Sequence, residues 1–86
     1  MTLTPIHDPD TVKAISGLAL GWHSANDVAW QAVGEDSAAR SGIKKWLDAL
    51  YAAGHLERMF VYNRGRPEVC YLVDRDLTTL DAELES

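Results

Sequence analysis

The sequence predicts a single small domain that is mainly α-helical and carries one β-hairpin. Its 86 residues are one domain's worth, and a hydrophobic content of 47% is typical of a folded globule. Three stretches with apolar residues at helical spacing precede two stretches rich in strand-forming residues. We therefore expect three helices and a hairpin within residues 1–76, followed by a short C-terminal helix or tail over residues 77–86.

Two similar start signals mark the first two helices. Asp8-Pro9 combines a good N-cap with the residue favoured at the first helical position. Gly17 weakens this first helix, and Gly21 is the residue at which it plausibly ends. Ser24–Asp27 resembles a capping box, and Gly34 ends the second helix after about ten residues.

The third helix is predicted from about Asp36-Ser37 to Ala53, with Gly54 supplying a left-handed end. Its wheel separates an apolar arc from a polar one, and Arg40 sits at the boundary. The apolar arc holds Ala39, Ile43, Trp46, Leu47 and Leu50. The polar arc holds Ser37, Ser41, Lys44, Lys45 and Asp48.

The hairpin is predicted from strand formers at residues 58–62 and 69–73, joined by the turn residues of 63–67. A short extended piece before the second helix is expected to pair with it. Alternation places Met59 and Val61 on one face and Phe60 and Tyr62 on the other.

Both faces of this hairpin are apolar, so the face turned away from the helices needs cover. Either a C-terminal stripe of leucines or a second subunit would supply it, and we hypothesise a homodimer. The stripe consists of Leu77, Leu80 and Leu84.

The stretch from Ile43 to Arg58 resembles the winged helix-turn-helix superfamily. The pattern Leu47, Leu50, Gly54, Leu56 is similar to the end of the recognition helix in that superfamily, where the first wing strand follows directly. The resemblance covers roughly residues 9–74. It implies three helices plus a wing, and double-stranded DNA as the partner of a small regulator of prokaryotic or phage type, reading the major groove with the helix over 37–53.

The net charge of −5 is unevenly distributed along the chain. Residues 1–39 carry −4, residues 40–66 carry +4 and residues 67–86 carry −5. The basic middle coincides with the third helix and the hairpin, which favours a nucleic-acid contact there. The acidic pair Glu35 and Asp36 lies at the entry to the third helix, where it would repel phosphate.

Six residues are the candidate DNA contacts. On the third helix these are Arg40, which can read guanine bidentately, Ser41, and Lys44 and Lys45, which are suited to phosphate. Arg64 and Arg66 at the tip of the hairpin can reach a phosphate row or a minor groove. The alternative for both groups is a solvated surface.

A second hypothesis is an acidic protein-interaction module that binds a basic partner such as a polymerase subunit or nuclease. The sequence contains no catalytic motif, no metal-ligand spacing and no cofactor signature, so we expect no enzyme, metal or cofactor. His7, Asp8 and Asp10 are close in sequence but lack such spacing. No apolar run or signal-like segment is present, and a cytoplasmic protein is expected.

Core packing is the expected role of the aromatic residues, with stacking on unpaired bases as the alternative. They are Trp22, Trp30, Trp46, Phe60, Tyr62 and Tyr71. Cys70, the one cysteine, is expected to be an ordinary buried thiol.

Overall fold

The structure, a computed structural model that describes residues 8–80, packs helices against a three-stranded antiparallel sheet. The elements in chain order are α1 (Pro9–Ser16), β1 (Gly21–Ser24), α2 (Ala25–Val33), α3 (Ser37–Ala52), β2 (Arg58–Asn63) and β3 (Arg66–Val73). Residues 78–80 begin a further helical turn. The fold is thus mixed α/β, with more sheet than the expected hairpin alone, and it is consistent with a winged-helix arrangement.

Side-chain caps start the three helices where the sequence predicts them. Asp8 accepts a hydrogen bond from the Asp10 backbone N–H at 3.4 Å, and Ser24 accepts one from Asp27 at 3.0 Å. Asp36 accepts from the Ala39 N–H at 3.1 Å. Each cap satisfies an N–H group that has no partner within its helix.

The expected extension of α1 to Gly21 is wrong. The helix ends at Gly17, whose N–H donates to the Lys13 carbonyl at 3.1 Å. A tighter, three-residue turn follows, in which the Leu18 N–H donates to the Ile15 carbonyl at 3.2 Å. Leu18 then turns into the core. Helix α3, in contrast, ends as expected. Gly54 adopts a φ of +85°, and the His55 N–H reaches back to the Leu50 carbonyl at 2.9 Å.

One hydrophobic core joins the helices to the sheet. Its largest fully buried side chains are Ile15, Val28, Ile43, Leu47, Leu50, Val73 and Leu77. Leu77 and Leu80 belong to this same core, so they do not form a separate cover for the hairpin. Leu84 lies outside the described residues.

The sheet has the order β1-β3-β2, which confirms that an extended piece before α2 pairs with the hairpin. The turn is shorter than predicted, because Asn63 pairs directly with Arg66 and only Arg64 and Gly65 lie between the strands. Both turn residues have positive φ, +54° and +77°, as in a type I′ turn. This turn matches the twist of the strands and gives a tight, projecting hairpin.

Core packing was the wrong expectation for four of the aromatic residues. Trp46 and Tyr71 are buried as expected, but Trp22, Trp30, Phe60 and Tyr62 are exposed. The reason for Phe60 and Tyr62 is topological. They share a sheet face with the buried Tyr71, yet they lie on the distal part of β2, beyond the helices that cover its base.

Candidate nucleic-acid interface

The polar arc of α3 faces solvent and carries two lysines without ion pairs. Ser41, Lys44 and Lys45 are exposed, while Ile43, Trp46 and Leu47 on the opposite side are buried. Within residues 8–80 no carboxylate lies within ion-pair distance of either lysine. This side of the helix therefore presents exposed, unpaired cationic groups to solvent.

Arg40 is placed differently from the other candidates, because its guanidinium turns back onto the protein. Its Nη1 donates to the Gly34 carbonyl at 2.9 Å, and its Cζ lies 4.2 Å from the centre of the Trp30 ring. The contact also explains why Trp30 remains 45% exposed, since the ring packs under an arginine rather than in the core. Arg40 thus ties α2 to α3, and its fork is occupied in this structure.

The hairpin base, which we define as Asp48, Tyr51, Arg58 and Tyr71, joins β2 to α3. Arg58 Nη1 lies 2.9 Å from Asp48 Oδ1, and its Cζ lies 3.8 Å from the centre of the Tyr51 ring. Partial desolvation opposes ionisation of Arg58, but its hydrogen bond to Tyr71 and the nearby Tyr51 and Asp48 raise its pKa. From the sequence, Arg58 is the first residue of a strand and one of the basic residues of the 40–66 segment. Nothing in the sequence indicates its contact with Asp48, because that contact joins two separate elements.

Arg64 and Arg66 flank Gly65 at the hairpin tip, which we define as residues 63–66. Both side chains are exposed, and neither has an ion-pair partner in the described part of the chain. Arg64 holds the left-handed conformation that glycine or asparagine adopts more easily. A strand rises about 3.3 Å per residue, so the tip projects roughly 20 Å from the Arg58–Asp48 contact.

The Arg58–Asp48 contact joins the hairpin to α3, so it links the element that carries the tip arginines to the helix that carries Lys44 and Lys45. Lys44 precedes Asp48 by one helical turn and lies on the same side of α3 as the hairpin base. Lys45 lies towards the other side of the exposed arc. The structure therefore places Ser41, Lys44 and Lys45 on the exposed side of α3 and Arg64 and Arg66 at the hairpin tip. Arg40 lies one turn before Lys44 on α3, but its guanidinium is turned back onto Gly34 and Trp30.

An acidic groove lies between the N-terminal ends of α1 and α3. It has a volume of about 410 Å³ and is lined by Asp8, Asp10, Thr11, Ala32, Val33, Asp36 and Ala39. Asp8 and Asp36 also cap their helices, so their carboxylates already have backbone partners. No group of three metal-ligating side chains suited to a metal ion is found between residues 8 and 80.

Cys70 is half-buried on β3, less buried than expected. Burial, and then the neighbouring Glu68, raises the pKa of its thiol, which disfavours the reactive thiolate.

Comparison of the chain with family models, characterised proteins and solved structures finds no match. Among the described helices, none has the length and apolar character needed to cross a membrane. Any functional conclusion must therefore come from the geometry and charge of the molecule itself.

Proposed function

We propose that this chain binds double-stranded DNA as a winged helix-turn-helix protein, and that it serves as a small sequence-specific regulator of prokaryotic or phage type. In this proposal α3 enters the major groove and the hairpin tip contacts the backbone. An α-helix fits that groove, where base edges carry a readable pattern of donors and acceptors. The order of helices and strands, with a projecting hairpin after α3, supports this arrangement.

The division of the cationic side chains is the observation that carries the proposal. Arg40 and Arg58 are engaged with rings and acceptors of the protein itself. Lys44 and Lys45 on α3, and the two arginines of the tip, have no such partner among residues 8–80 and face solvent. Cations left unpaired on two projecting elements are suited to phosphate, which supplies most of the affinity of DNA-binding proteins.

Acidic residues at the start of α3 shape how the helix would approach DNA. Glu35 and Asp36 are exposed at the N-terminal end of α3, so close approach of that end to phosphate is unfavourable. Lys44 and Lys45 lie near the middle of the helix. We therefore infer an approach in which the middle of α3, rather than its first turn, lies nearest the duplex.

The test reverses charge on α3 with Lys44→Glu and Lys45→Glu together. Duplex binding should fall by at least about 10-fold, and the dependence of log affinity on log salt should lose about 2 from its slope, because two phosphate contacts disappear. Binding is measured by fluorescence anisotropy on random duplexes and on duplexes selected from a random pool. Lys13→Glu, an exposed lysine on α1, is the matched control and should leave affinity nearly unchanged.

Unchanged affinity in the double variant, with its circular dichroism spectrum intact, would remove α3 from the interface. If no sequence is enriched from the random pool, the claim of sequence specificity fails and only non-specific DNA binding is left.

The acidic groove favours a second candidate function, a module that binds a basic protein. Its lining combines three carboxylates with apolar residues that include Ala32 and Val33. Asp10→Asn would weaken the binding of such a partner. It should not affect duplex affinity, because Asp10 neither caps a helix nor lies on α3. The two functions therefore separate in one pair of binding measurements.

A further inference from the structure

Strand β2 forms an open edge of the sheet. It pairs with β3 on one side, and no strand of the described region pairs with its other side. The Leu72 N–H donates to the Glu57 carbonyl at 3.1 Å, which fixes the phase of hydrogen bonding along the ladder. In antiparallel pairing this phase turns the backbone groups of Met59 and Val61 towards β3.

The same phase turns the N–H and C=O groups of Arg58, Phe60 and Tyr62 outward. The pairing of Tyr62 with Pro67 agrees with it, since proline has no N–H to donate at that position of the ladder. Three successive outward-facing donor and acceptor sets are the template that a further strand requires.

This edge lacks the devices by which proteins usually protect a free strand. Residues 59–62 read Met-Phe-Val-Tyr, with no charge and no proline, and all four are exposed. Phe60 and Tyr62 are 62% and 76% exposed. Natural edge strands are normally short, charged or covered, so an apolar open edge indicates a partner strand.

We propose that the partner is β2 of a second copy, paired antiparallel about a two-fold axis that passes between the two Phe60 residues. Pairing of outward-facing residues then gives Phe60 opposite Phe60, and Arg58 opposite Tyr62 of the second copy. About six backbone hydrogen bonds form, two for each facing pair. The two sheets become one continuous sheet with both α3 helices on the same side.

The side chains of β2 complement themselves in this register, which selects a second copy over an unrelated peptide. On the face shared with Tyr71 the two Phe60 rings meet each other. The ring of Tyr62 lies beside Arg58 of the second copy, whose guanidinium keeps its contacts with Asp48 and Tyr51. On the other face Met59 meets Val61. A foreign strand would have to reproduce both sets. This pairing does not rest on the proposed DNA binding, because Lys44 and Lys45 take no part in it.

Site-directed cross-linking tests the register in a Cys70→Ser background. Phe60→Cys places two thiols on residues whose Cα atoms are about 5.5 Å apart, within the range of a disulfide. Tyr62→Cys is the matched control on the same edge and face, since the two Tyr62 residues lie four positions apart, about 14 Å along the strands. Under mild oxidation most of the Phe60→Cys protein should become a disulfide-linked dimer, whereas little of the Tyr62→Cys protein should.

Equal cross-linking of the two variants, or none in either, would overturn the proposal. An independent measurement uses the protein without added cysteines. Sedimentation equilibrium should show a concentration-dependent dimer that Phe60→Lys converts to monomer, whereas Trp22→Lys, an equally apolar change on β1, leaves it intact. A wild-type monomer at high micromolar concentration, or a dimer abolished equally by both substitutions, contradicts the β2 pairing.

Discussion

The base and the tip of the hairpin belong to the same two strands but use their arginines in opposite ways. At the base, Arg58 is held by Asp48 at 2.9 Å, stacks on Tyr51 and lies opposite the buried Tyr71. At the tip, Arg64 and Arg66 extend from a two-residue turn, and none of the described residues pairs with them. One end of the hairpin is thus anchored to α3, and the other is left available.

The difference follows from what surrounds each guanidinium. The base lies against α3, whose exposed side supplies a carboxylate and an aromatic ring one turn apart. The tip extends beyond the helices. Its nearest acid, Glu68, accepts a hydrogen bond from Asn63 Nδ2 at 3.4 Å, and neither tip arginine has an ion pair among the described residues. The different roles of these arginines therefore follow from their neighbours, since Arg58 faces a carboxylate and a ring of α3 and the tip arginines do not.

The largest effect is expected from breaking the base with Tyr71→Phe. This removes a hydroxyl from a buried ring that lies opposite Arg58 in the sheet, and the free energy of unfolding should fall by about 1–1.5 kcal/mol, as for the loss of one hydrogen-bonding group. Urea unfolding at pH 7 measures it. The matched variant Tyr62→Phe removes an exposed hydroxyl from the tip end of β2 and should leave stability nearly unchanged.

Tyr71→Phe should also change how the free energy of unfolding depends on pH. Burial raises the pKa of Tyr71 above its ordinary value of 10.0, despite the opposing hydrogen bond and charge of Arg58. The folded state therefore keeps the proton that the unfolded chain releases, so stability is present below pH 10 and falls as pH rises above it. Tyr71→Phe should flatten that fall. Identical alkaline profiles for the two proteins would contradict the buried phenol.

An intermediate effect is expected at the tip from Arg64→Asn. Asparagine adopts the left-handed conformation at lower cost and suits the first position of a type I′ turn, so stability should rise by about 0.5–1 kcal/mol. Duplex affinity should fall about threefold to tenfold if Arg64 contacts a phosphate. Arg64→Lys, which keeps the charge, should retain most of the affinity. Loss of stability in Arg64→Asn would refute the strained turn.

The smallest effect is expected from Asp48→Asn, which uncouples the base without disturbing the core. Asp48 is well exposed, so its ion pair with Arg58 contributes little and the unfolding midpoint should barely move. Duplex affinity should rise about twofold, because a negative charge one turn from Lys44 is removed. Lower affinity would indicate instead that the Arg58–Asp48 pair positions the hairpin for binding.

Local signals predicted the helix boundaries well, because each depends on a few neighbouring residues. Asp8, Ser24 and Asp36 cap the helices that follow them, and Gly54 ends α3 as expected. Gly17 was misjudged because a glycine tolerated inside a helix and one that ends it look alike in sequence.

Contacts between elements were much less predictable. The partner of Arg40 is the Trp30 ring, ten residues earlier on another helix, so apolar spacing alone misassigned both residues. Phe60 and Tyr62 alternate correctly for a core face, but the pattern does not show where the covering helices stop. Which cations are free was therefore visible only once the elements were packed.

Pro67 has a consequence for how far any strand-to-strand assembly can extend. Strand β1 ends at Ser24, opposite Cys70, so none of the described strands pairs with the edge of β3 beyond that point on the β1 side. Pro67 lies there with no N–H to offer, and β1 itself is only four residues long and runs directly into α2. Within residues 8–80 the β2 side is thus the better edge for an added strand, so the proposed pairing is expected to close at a dimer and not to propagate into a fibre.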